Sequence, residues 1–391
     1  MKNTVAAVDF GTSKIVALVA VTGGRQSCDI ISAGTSTYEG YVNGRWISPD
    51  TLNEAISTAI REAESQPKER IRSVRVGVPS GFCRVRTTEA KVELQGSDPQ
   101  VRPEDVDKLI ERATEQLGNV NGTIIQKSPA WFVIDDGKKT MEPTGVRGYE
   151  LRGMVAFIIA DSYFMEDVTN RFNALDIQVE GFVSSVYGQA MLFVPQEERD
   201  RIAVLVDIGY LTTDVMIVEG EAITYLKSIP MGGADIAVDL STGLNIQFSS
   251  AEQIKRAYVY GLSAGQPSFD ALDENNAAVT LARDQVERVL EPRAEEICEA
   301  VRNAIAESGV NLSKWSWVYL TGGGLAINRG GRDFLSAKLG RPVKDLPKKA
   351  VKLSSPAYSS ALGLLDLLVS SAANERDSTG ITGFFRNLFG A

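Results

Sequence analysis

Histidine is entirely absent from this chain. That removes Ser-His and Cys-His nucleophile pairs, imidazole metal ligation and histidine phosphotransfer together. Cysteine is scarce: Cys28, Cys83 and Cys298 stand far apart, with no Cys-x-x-Cys pair. A zinc ribbon and a disulfide framework are excluded, and a reducing compartment fits. Long apolar runs are also missing. None approaches the ~20 residues that span a bilayer, and Asp9 interrupts the N-terminal stretch too early for a secretory signal. There is no basic excess, since 41 Lys and Arg face 50 Asp and Glu for a net charge of −9. That balance argues against a nucleic-acid partner. No Gly-x-x-x-x-Gly-Lys-Ser/Thr occurs, so this is not a P-loop protein. Carboxylates, hydroxyls, backbone amides and a bound cation remain, an inventory suited to phosphate handling with magnesium.

What is present is a duplicated turn. Val8-Asp9-Phe10-Gly11-Thr12-Ser13 follows one apolar strand, and Val206-Asp207-Ile208-Gly209 follows another, with Thr212-Thr213-Asp214 just beyond. A hairpin turn between buried strands aims successive N–H groups at phosphate oxygens. Gly11 lets the backbone approach closely, Thr12 and Ser13 add hydroxyls, and Lys14 adds charge. Asp9 and Asp207 would hold a hydrated magnesium from opposite sides of a shared cleft. After a third strand, Gly322-Gly323-Gly324 offers a surface for adenosine, with the following helix N-terminus near the α-phosphate. The expectation is a nucleotide clamp built from two similar α/β halves.

At 391 residues the chain exceeds the roughly 250–300 at which one core stops growing. The pattern predicts a first core over 1–81 plus 161–197, an inserted α+β module over 82–160, and a second core over 198–227 plus 308–369. An outer lobe over 228–307 contains helical stretches at Ala251–Tyr260 and Ala277–Glu307. A helix at Ser359–Val369 closes the body, and 370–380 reads as a polar linker.

Beyond it, Ile381, Phe384, Phe385, Leu388 and Phe389 recur at helical spacing and form one apolar stripe over 381–391. This reads as an amphipathic helix lying on a membrane surface. Five such side chains offer ~1.5–3 kcal/mol each when fully buried. Ordering about a dozen backbone units costs ~1–2 kcal/mol apiece. One tail is therefore a weak anchor, and many tails along a filament a strong one.

The ordered set of two turns and a glycine triplet resembles the actin/Hsp70/sugar-kinase superfamily. Within it the chain is similar to the FtsA family of bacterial cell-division proteins along its full length. The segments that carry the likeness are AAVDFGTSKIVALV, TGVRGYELRG (144–153), IPMGGADIAVDLS (229–241), LEPRAEEI (290–297) and SPAYSSALGLL (355–365). The resemblance implies duplicated actin-like (ribonuclease H-like) domains flanking a nucleotide cleft, with ATP and Mg2+ as ligands. It places Gly232, Gly233, Glu252 and Lys255 on the adenosine pocket. It also implies self-association into filaments, a C-terminal membrane anchor, recruitment of later division proteins, and docking of the tubulin-like FtsZ through its tail. Arg293 and Arg302 are candidate contacts for that tail, and the location implied is the cytoplasmic face of the cell membrane at the septum. One departure stands out: Tyr210 and Leu211 replace two glycines of the family's usual second turn, Asp-Ile-Gly-Gly-Gly-Thr. A turn reshaped there weakens γ-phosphate contact, so the expectation is at best a weak ATPase, with Glu180 and Gln189 the only candidates to orient water. A pilus-assembly adaptor, a small-molecule kinase and a chaperone-like ATPase are the competing readings of the same motifs.

Overall fold

A computed structural model describes residues 3–22, 28–65, 70–261, 266–347 and 353–374. The apolar stripe at 381–391 lies outside these described residues.

The N-terminal half is rich in Val, Ile and Ala in strand-length runs bounded by turn residues, as pleated, buried strands require. It forms β1 (Asn3–Phe10), β2 (Lys14–Thr22), β3 (Cys28–Thr37), a short β4 (Tyr41–Val42) and β5 (Arg45–Trp46) hairpin, α1 (Pro49–Ser65) and β6 (Ser73–Val78). The next segment supplies β7 (Cys83–Glu93), α2 (Pro103–Leu117), β8 (Thr123–Ile134) and β9 (Glu150–Ala160), followed by α3 (Ser162–Asn173), β10 (Gln178–Ser184), α4 (Ser185–Phe193) and α5 (Gln196–Arg199). The second half contributes β11 (Ala203–Ile208), β12 (Thr213–Glu219), β13 (Ala222–Ile229), α6 (Gly233–Leu244), α7 (Phe248–Ala257), β14 (Ser268–Leu272), β15 (Ala278–Ala282) and α8 (Arg283–Glu307). It ends with β16 (Val318–Thr321), α9 (Gly331–Leu339), β17 (Val343–Asp345) and α10 (Ser359–Asn374).

Two five-stranded sheets share one topology. One runs β3-β2-β1-β6-β10 and the other β13-β12-β11-β16-β17. In each, the first strand is central, with its hairpin partner on one side and two later strands on the other. Those later strands run parallel to the centre in both sheets. The chain divides into two units: one takes 1–202, 217–226 and the residues from 360 on, the other 203–216 and 227–359.

In the first unit, Leu52, Ile56, Ala59, Ile60 and Ala63 of α1 pack on the sheet, as their helical spacing dictates. A ring cluster of Phe10, Tyr41, Trp46, Phe82 and Phe164 fills the same core, with centroid separations from 4.8 to 6.0 Å. The module of β7, β9 and β8 carries its own core, in which Val106, Leu109 and Ala113 of α2 meet Phe132, Val155 and Phe157. α2 starts with Pro103 at its first position, and the Asp105 carboxylate accepts the Arg102 N–H at 3.1 Å, a tidy satisfaction of an orphan donor.

Three boundaries differ from the sequence expectation. Ala278–Ala282 is a strand paired with β14, so only the part from Arg283 onward is helix. Its side chains alternate between partly buried and exposed, a period of two within a stretch read as helical. The helix expected at Ala251 begins at Phe248 and ends at Ala257. Expected as linker, 370–374 instead continue α10 to Asn374. Polar side chains alone do not end a helix when Ala and Leu precede them.

Glycines set one close contact. A Cβ added at Gly363 of α10 would fall 2.3 Å from Gln189 N, and one at Gly188 of α4 would fall 2.4 Å from Gly363 O. The two helix backbones therefore touch, which only glycine permits on both sides. Gly363→Ala should destabilise the protein by about 1–3 kcal/mol, as overpacking does, despite alanine's better helix propensity. A urea melt checks it; an unchanged or higher midpoint would contradict the contact.

Candidate functional site: two matching turns

The two turns close in the same way. Gly11 N–H donates to Lys14 O at 3.0 Å, and Gly209 N–H donates to Thr212 O at 2.8 Å. Each follows the central strand of its sheet, so each Asp sits at a strand's end, two residues before the closing glycine.

In the first unit, Asp9 is 4% exposed. Its Oδ1 accepts hydrogen bonds from Ser185 Oγ at 2.7 Å and Ser360 Oγ at 3.0 Å. Gly77 makes room for this pair, since a Cβ there would lie 2.1 Å from Ser185 Oγ and 3.3 Å from Asp9 Oδ1. Burial pushes the Asp9 carboxyl above the usual aspartate range, while the two serine hydroxyls and Lys14 pull it partly back. Such a group gains from a cation that restores its charge partner. The hydroxyls of Ser185 and Ser360 escape motif reading because they come from the starts of α4 and α10, far away in sequence. The only sequence hint is a Ser-Ser pair at the head of each helix.

In the second unit the expected residues converge. Gly233 N–H donates to Gly209 O at 2.9 Å and Ala234 N–H to Tyr210 O at 2.7 Å. Gly324 N–H donates to Ile208 O at 2.7 Å. A Cβ on Gly322 would fall 2.2 Å from Ile208 O and 2.3 Å from Asp207 Oδ1, and one on Gly324 2.6 Å from Gly209 O. Gly322 and Gly324 thus serve backbone-to-backbone packing on the second turn; only Gly323 has ordinary space around it, with Ala357 Cβ 3.4 Å away. The triplet was read as a surface for adenosine, and this packing is a further demand on it. The helix after the triplet starts at Gly331 rather than directly behind Gly324.

Lys255 is 3% exposed. Its ammonium donates to Gly233 O at 2.8 Å, pairs with Glu252 and lies 5.4 Å from the Tyr210 ring centre. An exposed, solvated Glu–Lys pair is thereby ruled out at this position. Burial lowers the Lys255 ammonium from its ordinary value, and the Glu252 carboxylate opposes that. Tyr210 and Leu211 do not strain the turn, for neither is among the non-glycine residues with positive φ. The side chains replace glycines without the αL penalty, and Tyr210 uses its ring to cover Lys255.

Some expected residues do other work. Thr213 is 1% exposed and its hydroxyl donates to Met231 O at 2.8 Å. Glu180 is half exposed and pairs with Arg75 at 3.6 Å. Gln189 is fully buried in α4. Arg293 binds Asp239 at 2.7 Å and Glu296 at 2.6 Å, whereas Arg302 binds Glu299 at 2.8 Å. Nine positions along a helix is about half a turn past two full turns, so the two arginines occupy opposite flanks of α8 and cannot form one contact face. Among the described residues there is no cluster of three or more Asp, Glu or Cys suited to hold a metal directly. No described helix is long and apolar enough to cross a membrane.

Solved structures with this fold include a PilM–PilN type IV pilus biogenesis complex, at TM-score 0.63 and 16% identity over 93% of this chain and 98% of that one. MreB5 of Spiroplasma citri bound to AMPPNP gives 0.54 and 13%, covering 96% and 98%. A MamK double helical filament gives 0.51 and 12%, covering 93% and 98%. The chain therefore has the actin-like fold, with two sheets of one topology and an inserted α+β module. Sequence relatives narrow this. Cell division protein FtsA of Pseudomonas aeruginosa is 25% identical over 367 residues, covering 92% of this chain and 87% of its own. That of Bacillus subtilis is 22% identical over 369 residues, covering 93% and 83%. The family model for cell division protein FtsA matches residues 204–363. Over most of its length the chain is similar to cell division protein FtsA of several bacteria, and the part from 204 to 363 matches that family's model.

The Asp9 environment predicts a pH effect. A carboxyl whose folded pKa is raised binds its proton more tightly when folded, so its ionisation costs stability as pH climbs from the ordinary aspartate value through the raised one. Asp9→Asn keeps an oxygen to accept both serine hydroxyls and has no charge to bury. The apo variant should be more stable than the parent at neutral pH, with the advantage shrinking as pH falls into the aspartate range. Urea midpoints at neutral and mildly acidic pH check this; an advantage that grows on acidification would contradict it.

Proposed function

We propose that the chain is an ATP-binding, self-polymerising adaptor that tethers the FtsZ division ring to the cytoplasmic face of the cell membrane at the septum. The observation that carries this reading is the repeated turn, closed by the same glycine-to-carbonyl bond behind an aspartate in two sheets of one topology. The phosphates of Mg·ATP would meet the amides of the Gly11–Lys14 and Gly209–Thr212 turns. Asp9 and Asp207 would orient water around the magnesium, and the buried Glu252–Lys255 pair with Gly232, Gly233 and Gly323 would receive the adenosine. An MreB5 relative in fold was crystallised with AMPPNP, and a MamK relative as a filament, which supports a nucleotide and self-association here.

Hydrolysis is weak in this reading. Glu180 is paired with Arg75 at the surface and Gln189 is fully buried in α4. The domain layout follows from the same picture: two cores, the inserted module at 82–160 as the surface for later division proteins or a neighbouring subunit, and the outer lobe at 228–307 as the FtsZ face. Arg293, braced by Asp239, is the better-placed arginine for an acidic tail. Ile381, Phe384, Phe385, Leu388 and Phe389 would lie in the lipid surface.

Electron microscopy on lipid monolayers tests this directly. Full-length protein with Mg·ATP should form filaments on the monolayer, and a chain ending at Gly380 should not bind it. Equal coverage by both proteins, with or without ATP, would overturn the adaptor reading.

A further inference from the structure

Two carbonyls of the first turn are tied to one residue. Tyr38 N–H donates to Ser13 O at 3.3 Å, and Tyr38 Oη donates to Gly11 O at 2.7 Å. Its ring lies 6.3 Å from Trp46 at 58°, on the edge of the aromatic cluster. No peptide bond among the described residues is cis. In a planar trans peptide the C=O and the following N–H point in opposite directions. Fixing Gly11 O and Ser13 O on Tyr38 therefore turns the N–H groups of Thr12 and Lys14 away from it.

We propose that Tyr38 is a positioning residue that sets the peptide planes of the first phosphate turn, so that its amides present to a polyphosphate before one arrives. This rests on the nucleotide reading above and adds a residue that no motif contains. Tyr38 lies outside the turn, at the end of β3, a strand whose sequence carries no phosphate signature. Pre-set donors cost no reorganisation when the anion binds, which is where such a device gains affinity. Burial, and secondarily the Asp9 carboxylate, hold the phenol well above its ordinary pKa, which favours the protonated hydroxyl as a donor. The bland alternative is a buried tyrosine satisfying its hydroxyl on the nearest carbonyl. That alternative predicts a stability effect and no preference for phosphate.

The two differ in a ratio. Calorimetry on the full-length protein would give affinities for Mg·ATP and for adenosine, with a thermal melt of the apo form alongside. Tyr38→Phe keeps the ring and removes the hydroxyl. It should bind Mg·ATP about five- to tenfold more weakly, the scale of one hydrogen bond, while adenosine affinity stays at the parent value. Trp46→Phe, which disturbs the ring cluster and the Trp46 Nε1 bond to Asp167 but no bond to the turn, should lower the melting point without changing the ATP-to-adenosine ratio. Tyr38→Phe binding Mg·ATP like the parent, or losing ATP and adenosine equally, would overturn the positioning role. A parent protein that does not bind Mg·ATP would instead overturn the nucleotide reading itself.

Discussion

A glycine N–H bonded to the carbonyl three residues ahead closes both hairpins, and the geometry of the candidate site depends on that closure. It brings the strand that ends in Asp and the strand that follows into register, Phe10 against Ile15 in the first copy. It leaves carbonyls of the closing glycine and of the two residues after it to find partners elsewhere. In the first copy Tyr38 takes two of those carbonyls. In the second, the N-terminus of α6 takes them, through Gly233 and Ala234 N–H. The same problem is solved by the backbone and side chain of one residue in one sheet and by a helix start in the other. The duplication is therefore one of topology, and the packing around each copy is its own.

The glycine triplet and the Gly232-Gly233 pair follow from this. Two chain segments converge on Ile208, Gly209 and Tyr210, and any Cβ on Gly232, Gly322 or Gly324 would collide with their backbone. Lys255 then reaches the same place from α7 and is satisfied by Gly233 O and Glu252. Tyr210 closes over the ammonium. A family-typical glycine would leave that face open, so in this chain the altered second turn exchanges backbone freedom for a cation–π lid. The exchange is unstrained, since the backbone at Tyr210 and Leu211 stays out of the left-handed region.

Much of this was legible from the residues. Strand-length apolar runs, the Asp-x-Gly signal and its repetition anticipate β1, β2, β11 and β12 and the doubled sheet, because local pattern and burial agree there. The module over 82–160 is legible for the same reason: β7 begins at Cys83 and β9 ends at Ala160. What escapes is anything set by distant partners. Ser185 and Ser360 come from helix starts at opposite ends of the first unit's chain, and no spacing rule joins them to Asp9. Tyr38 is invisible as a site residue for the same reason. The partner of the Thr213 hydroxyl, Met231 O, is likewise set by a residue that no motif contains. The β14–β15 hairpin is lost because a long helix follows directly and its charged residues blend into one polar pattern.

The central claim is that both turns grip one magnesium nucleotide. A crystal structure with magnesium and a non-hydrolysable ATP analogue tests it most directly. It should have phosphate oxygens accepting hydrogen bonds from the amides of both turns, with Asp9 and Asp207 sharing the hydration shell of a single cation. An analogue bound through one turn alone, or absent at saturating concentration, would contradict it.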